Sequence, residues 1–286
     1  MPSKRKLIFD TSAINALADD PDSAAIAASL GSAYRVGITE TVMSEVIADP
    51  DVHRRTGRFE LMKRLLGAGN CLMPFNWIIE EQAKSYVRDP STYEWKRLDV
   101  RLRMGEEEIV RQEFIHSLSD ETLVNQKDWE KGFKAIFENA RPAFQRIFEN
   151  ETDPRPSLQK VTGILLGDGG AHLSIGSGLV ERATGTGLEE AQVKNFVERC
   201  PPFMALLVAL CVAQYDRCIR GEGDPSLGKA GRNDMFSAVY LSYCGVFVTN
   251  DRGQCKALTA VADLMQWQVS VVLYSDFRSQ LIGLPI

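Results

Sequence analysis

The chain has 286 residues, 44% of them hydrophobic, which suffices for one large domain or for a core carrying an inserted module. Its formal charge of −5 excludes a broad basic field for tight duplex binding, though not a local contact with RNA. Cys71, Cys200, Cys211, Cys218, Cys244 and Cys255 form no C-x-x-C pair and the three histidines stand apart, which argues against a zinc site.

Cys211, Cys218 and Cys244 lie in apolar runs and read as small core residues, as expected in a reducing cytoplasm. Lys4–Lys6 pass into an apolar run too short for the core of a signal peptide. The most apolar stretch, Phe203–Ala213, falls short of the roughly 20 residues that span a bilayer, so no membrane contact is expected.

In chain order, Lys6–Phe9 reads as a strand ending at Asp10, and Ile14–Leu17 starts a helix. Ser23–Leu30 is alanine-rich and helical. Val36–Ile38 is a second strand, after which Thr39 caps a helix bearing Val42, Met43, Val46 and Ile47, with Glu45 near the edge of that face. Asp51–Leu66 is a helix with Phe59, Met62, Leu65 and Leu66 as its apolar stripe. Cys71–Phe75 reads as a third strand and Trp77–Val87 as a helix ended by Asp89-Pro90.

From Ser91 to about Arg199 the sequence is mainly helical and charged. Trp129, Phe133, Ile136, Phe137, Ala140, Phe144, Ile147 and Phe148 form an amphipathic stripe, read as packing within this segment rather than as a base-stacking platform. Gly167–Gly170, Gly176-Ser177-Gly178 and Gly185-Thr186-Gly187 match no phosphate-binding pattern and read as turns between short helices. Cys200-Pro201-Pro202 marks the return to the core, Phe203–Ile219 a buried helix, and Gly221–Gly231 a polar loop.

The stretch Gly231–Gly253 then gives helix, tight turn, strand and acidic loop. Asp234 opens the helix, Gly245 ends it in a left-handed cap, and Val246–Val248 is a strand buried on both faces. Thr249, Asn250 and Asp251 close it. Asp10, Glu45, Asp234 and Asp251 would therefore converge at the carboxyl edge of a parallel sheet, where α/β proteins bind ligands.

LIFDTSAIN (7–15), ITETVMSEV (38–46), RNDMFSAVYLSY (232–243) and VFVTND (246–251), in this order, resemble a PIN-domain nuclease. The resemblance implies an α/β fold, a Rossmann-like parallel sheet in an α/β/α sandwich, formed by residues 1–90 and 200–286. Residues 91–199 would be a mainly α-helical insertion. It also implies that Asp10, Glu45, Asp234 and Asp251 hold Mg²⁺ or Mn²⁺ and that RNA is the substrate, with Thr249 at a hydroxyl position near the metal. Many members are toxins held by a small antitoxin. The large insertion departs from that pattern and leaves substrate choice, a homo-oligomer contact and self-restraint open as its roles.

The chemistry is consistent with this. Two carboxylates about 5 Å apart repel by roughly 3 kcal/mol at an effective dielectric of 20, so a cluster calls for protons or a cation. Oxygen ligands without His or Cys suit Mg²⁺ or Mn²⁺, which would activate water for phosphodiester hydrolysis. Thr11 and Ser12 would touch the scissile phosphate, or Ser12 would cap the following helix. Arg54–Arg58 and Lys63–Arg64 read as solvated helix faces, with substrate steering as the sharper alternative. A haloacid-dehalogenase-like phosphatase needs an acid where Ser12 stands, and a von Willebrand-type adhesion site needs a hydroxyl where Ile14 stands. The remaining alternative is a PIN-like scaffold that binds RNA or protein with weak or no cleavage.

Overall fold

A computed structural model describes residues 4–47, 49–66, 69–95, 156–167, 171–215 and 235–282. The aromatic stripe between Trp129 and Phe148, Cys218 and Asp234 lie outside the described residues.

Five parallel strands form one sheet in the order β3-β2-β1-β4-β5: β1 (Arg5–Phe9), β2 (Tyr34–Thr39), β3 (Gly69–Leu72), β4 (Val246–Thr249) and β5 (Ser270–Leu273). β1 is central, with Phe9 opposite Ile38 of β2 and Val248 of β4. Successive strands β1, β2 and β3 extend the sheet one way, and β4 and β5 extend it the other. The order reverses between β1 and β4. There the loops leaving two adjacent strands diverge and open a crevice at the carboxyl edge.

Helices cover both faces, which is why the central strands are apolar throughout rather than alternating. On one face Leu7, Phe9, Val36, Ile38 and Val248 pack with α1 (Thr11–Ala18), α2 (Ser23–Ala33), α3 (Glu40–Ile47), α4 (Val52–Leu66) and the last described helix, α12 (Tyr274–Ile282). Phe59, Met62 and Leu65 of α4 supply the expected stripe. On the other face Ile8, Leu72 and Phe247 pack with α5 (Phe75–Arg88), α7 (Ala171–Thr184), α8 (Glu190–Arg199), α9 (Pro201–Tyr215), α10 (Ala238–Leu241) and α11 (Arg252–Leu264). A short helix α6 (Leu158–Leu165) leans on α9 through Val161 and Cys211.

Residues of the 91–199 segment thus share a core with the sheet. Tyr86, Tyr93, Phe196 and Phe203 form one aromatic cluster. The Tyr86 hydroxyl donates to the Gln192 carbonyl at 2.9 Å, and Arg199 donates to the Pro90 carbonyl at 2.9 Å. Among the described residues no single helix is long and apolar enough to cross a membrane.

Three local expectations need correction. Gly176 and Gly178 lie inside α7 and form no turn. A methyl group on Gly176 would stand 2.9 Å from Val193 and 3.1 Å from Val197, so the missing side chain lets α7 and α8 approach closely. Gly245 is not left-handed; the only described glycine with positive φ is Gly185, just after α7. Gly245 instead leaves space for Arg5, which donates to its carbonyl at 2.8 Å. The third strand is Gly69–Leu72 rather than Cys71–Phe75, because Pro74 turns the chain and Phe75 opens α5. Phe75 stacks on Phe236 with ring centroids 4.3 Å apart.

Candidate functional site

The crevice between β1 and β4 holds a cavity of about 220 Å³. Asp10, Ser12 and Asn15 line it from the end of β1 and from α1, Thr39 and Glu45 from β2 and α3, and Asp251 and Gln254 from the start of α11. No Lys, Arg or His is among the described residues that line it.

Asp10 follows Phe9, and its backbone N–H donates to the Val248 carbonyl at 3.0 Å, continuing the ladder one residue past β1. Its side chain caps α1 by accepting from Ala13 N at 2.7 Å. The cap therefore belongs to Asp10, not to Ser12. The Ser12 hydroxyl lies 3.0 and 2.9 Å from the two Asp10 oxygens and accepts from Asn250 N at 2.7 Å, tying the β1 loop to the β4 loop. Asp10 is 8% exposed. Burial pushes its carboxyl up from 3.8 to about 6, against the Ala13 N–H and the Thr249 and Ser12 hydroxyls, which pull it down. The Asp251 charge adds the smallest upward push. Desolvation, rather than the carboxylate repulsion expected from the sequence, dominates.

Thr249 is fully buried, so it acts on the cavity through its neighbours. Its hydroxyl lies 2.8 Å from Asp10 Oδ2 and 2.6 Å from Gln254 Oε1, and accepts from Asp251 N at 3.0 Å. A hydroxyl carries one hydrogen. With Asp10 ionised, that hydrogen goes to Asp10 and Gln254 must turn its amide nitrogen toward Thr249. With Asp10 neutral, the carboxyl proton can go to Thr249 and the threonine hydrogen to Gln254 Oε1.

Asp251 caps α11 by accepting from Gln254 N at 2.8 Å and is itself exposed. Gln254, 1% exposed, is the residue that sequence reasoning missed. The signal was present: D-x-x-Q before an apolar helix has the spacing of a capping box. Only half of that box forms. The Gln254 side chain reaches Thr249 instead of Asp251 N, and so enters the network around Asp10. Replacing Gln254 by Met removes this buried contact without opening a cavity. It is expected to cost about 1–2 kcal/mol, read as a lower urea midpoint with an unchanged slope.

Three of the four predicted acids thus line one cavity: Asp10, Glu45 and Asp251. Asp234 is outside the described residues; Ser237, three residues on, also lines the cavity. The Asn15 Oδ1 atom is buried and has no hydrogen-bond partner among the described residues. The oxygen atoms of the three carboxylates and of Asn15 are ligands of the kind a hard dication takes, with no His or Cys among the described lining residues. In the arrangement described, no three Asp, Glu, His or Cys side chains among the described residues form a group that could hold a metal ion. Cys200 and Cys211 are buried, and burial pushes both thiols up to about 12, which makes them poor nucleophiles and ligands. No protein-family model, curated protein or solved structure matches the chain.

Proposed function

We propose that the chain is a metal-dependent ribonuclease of the PIN type, with its Rossmann-like core built on the strand order reported above. The reading rests on one observation: Asp10, Glu45 and Asp251 line a single cavity where the strand order reverses, with no Lys, Arg or His among its described lining residues. Asp10 and Asp251 would be the principal holders of Mg²⁺ or Mn²⁺, with Glu45 and Asp234 completing the set. The bound ion supplies Lewis acidity toward the phosphodiester and an activated water. The protein's part is to hold Asp10 in one rotamer through Ser12, Thr249 and the Ala13 N–H, and to keep it charged despite burial. Gln254 holds Thr249 in turn. Ser12 stands at the cavity wall with its single hydroxyl hydrogen committed to Asp10.

A second reading, a PIN-like scaffold with weak or no cleavage, draws on a specific observation. The Asp10 oxygens are already engaged by three donors, and no three described acids form a metal-holding group. One experiment separates the two. End-labelled single-stranded RNA is incubated with the full chain in Mn²⁺ or in EDTA. Internal cuts that appear only with Mn²⁺ are the expected result; intact RNA with no calorimetric heat of Mn²⁺ binding would favour the scaffold.

A further inference from the structure

A second, larger cavity of about 440 Å³ lies against the other end of α1. Arg54, Arg58 and Arg64 line it from one face of α4, together with Asp19, Glu60 and Gly57. The sequence alone left these arginines between a solvated helix face and a substrate contact. The geometry points to the contact. We propose that this cavity binds a ribonucleotide of the RNA strand that enters the acidic cavity, its phosphate held by Arg54 and Arg64. The proposal rests on the ribonuclease reading above.

Four observations carry it. First, positions 54, 57, 58, 61 and 64 fall on one side of α4, so all three arginines line the same cavity. Second, Arg58 is buried and paired with Asp49, which commits its charge and fixes the cavity floor. Arg54 and Arg64 are exposed, and no salt bridge to them occurs among the described residues. Third, Gly57 sits in mid-helix between them, where glycine costs about 1 kcal/mol relative to alanine. Nothing lies within 4 Å of where its Cβ would stand, so no packing demands the glycine, and its bare backbone leaves the cavity open. Fourth, Asn15 lines the acidic cavity and Ala18 and Asp19 line this one, so a single turn of α1 separates them. The whole helix measures about 12 Å, within reach of a short run of nucleotides.

The mixed charge of the lining selects the ligand. A simple anion would gain from Arg54 and Arg64 but be repelled by Asp19 and Glu60. A ribonucleotide offers both partners: guanidinium groups take the phosphate in bidentate fashion, and carboxylates accept from the ribose 2′-hydroxyl.

The test uses the full chain carrying Asp10→Asn, which keeps the RNA uncut, and a fluorescein-labelled single-stranded RNA 12-mer followed by anisotropy over a salt series. Adding Arg54→Gln and Arg64→Gln should flatten the log–log salt dependence by about 0.7, the value for one phosphate contact. That corresponds to about 5-fold weaker binding at 0.1 M salt relative to 1 M. Gly57→Leu, which fills the cavity, leaves every charge in place and favours the helix, should weaken binding comparably with a melting temperature no lower than the parent's. If the arginine variants bind with the parent's affinity and slope, this site is wrong while the nuclease reading stands. If the parent chain binds no RNA, both are wrong.

Discussion

Replacing Asp10 by Asn should stabilise the metal-free protein by about 3 kcal/mol at pH 7 and by almost nothing near pH 4. The ordinary Asp10 value of 3.8 rises to about 6 in the fold, a change of about two units at 1.36 kcal/mol each. A raised carboxyl value means that the folded state prefers the proton. The stability held by neutral Asp10 is therefore complete below pH 3.8 and is lost as pH climbs through about 6. Asparagine has no charge to desolvate, and its Oδ1 still accepts from Ala13 N, so the cap on α1 survives. Urea unfolding of both proteins at pH 4 and pH 7 in EDTA measures the effect. An equal difference at the two pH values would show that Asp10 ionises in the fold as it does in water. Alanine at the same position should not stabilise, because it removes the cap and the carboxylate that accepts from the Ser12 hydroxyl.

The second large effect concerns turnover. Asp10→Asn and Asp251→Asn should each lower Mn²⁺-dependent RNA cleavage by about three orders of magnitude, since a cation at the reacting phosphate is worth several kcal/mol in the transition state. Glu45→Gln should cost less, about 10- to 100-fold, as expected of a group that completes or orients a ligand set. Initial rates at saturating Mn²⁺ give the comparison, and manganese titration by calorimetry shows whether affinity falls with the rate. Should the Asp10/Asp251 double substitution cleave as fast as the parent, the chemistry lies elsewhere in the molecule. Asp10→Asn thus trades activity for stability, the pattern of a site that keeps a costly charge for its function.

How much of this was readable from the residues differs from element to element. β1, β2 and β4 were legible because each is a short apolar run ended by Asp10, Thr39 or Thr249, with both faces buried. Thr39 caps α3 as its sequence implied, accepting from Val42 N at 3.3 Å. β5 drew no expectation: Ser270–Leu273 is an edge strand, only partly buried, so its pattern is weak. The convergence of Asp10 with Asp251 followed from strand-end logic, but the internal order of the site did not. Which hydroxyl holds which carboxylate depends on loop geometry, as the exchange of roles between Ser12 and Asp10 at the α1 cap shows. Gln254 was hidden for the same reason, because its local capping spacing is overridden by a tertiary partner, Thr249.

The position of β1 in the sheet has a consequence for biosynthesis. One wall of the acidic cavity is encoded before residue 46 and the other after residue 236, and they meet only when β4 docks along β1. At about 5–20 residues per second, a ribosome takes roughly 10–40 s to make the intervening chain. Throughout that interval one edge of β1 awaits its neighbour and the pocket has a single side. On the ribonuclease reading proposed above, a nascent chain would therefore be inert toward the message that encodes it until most of the polypeptide has emerged.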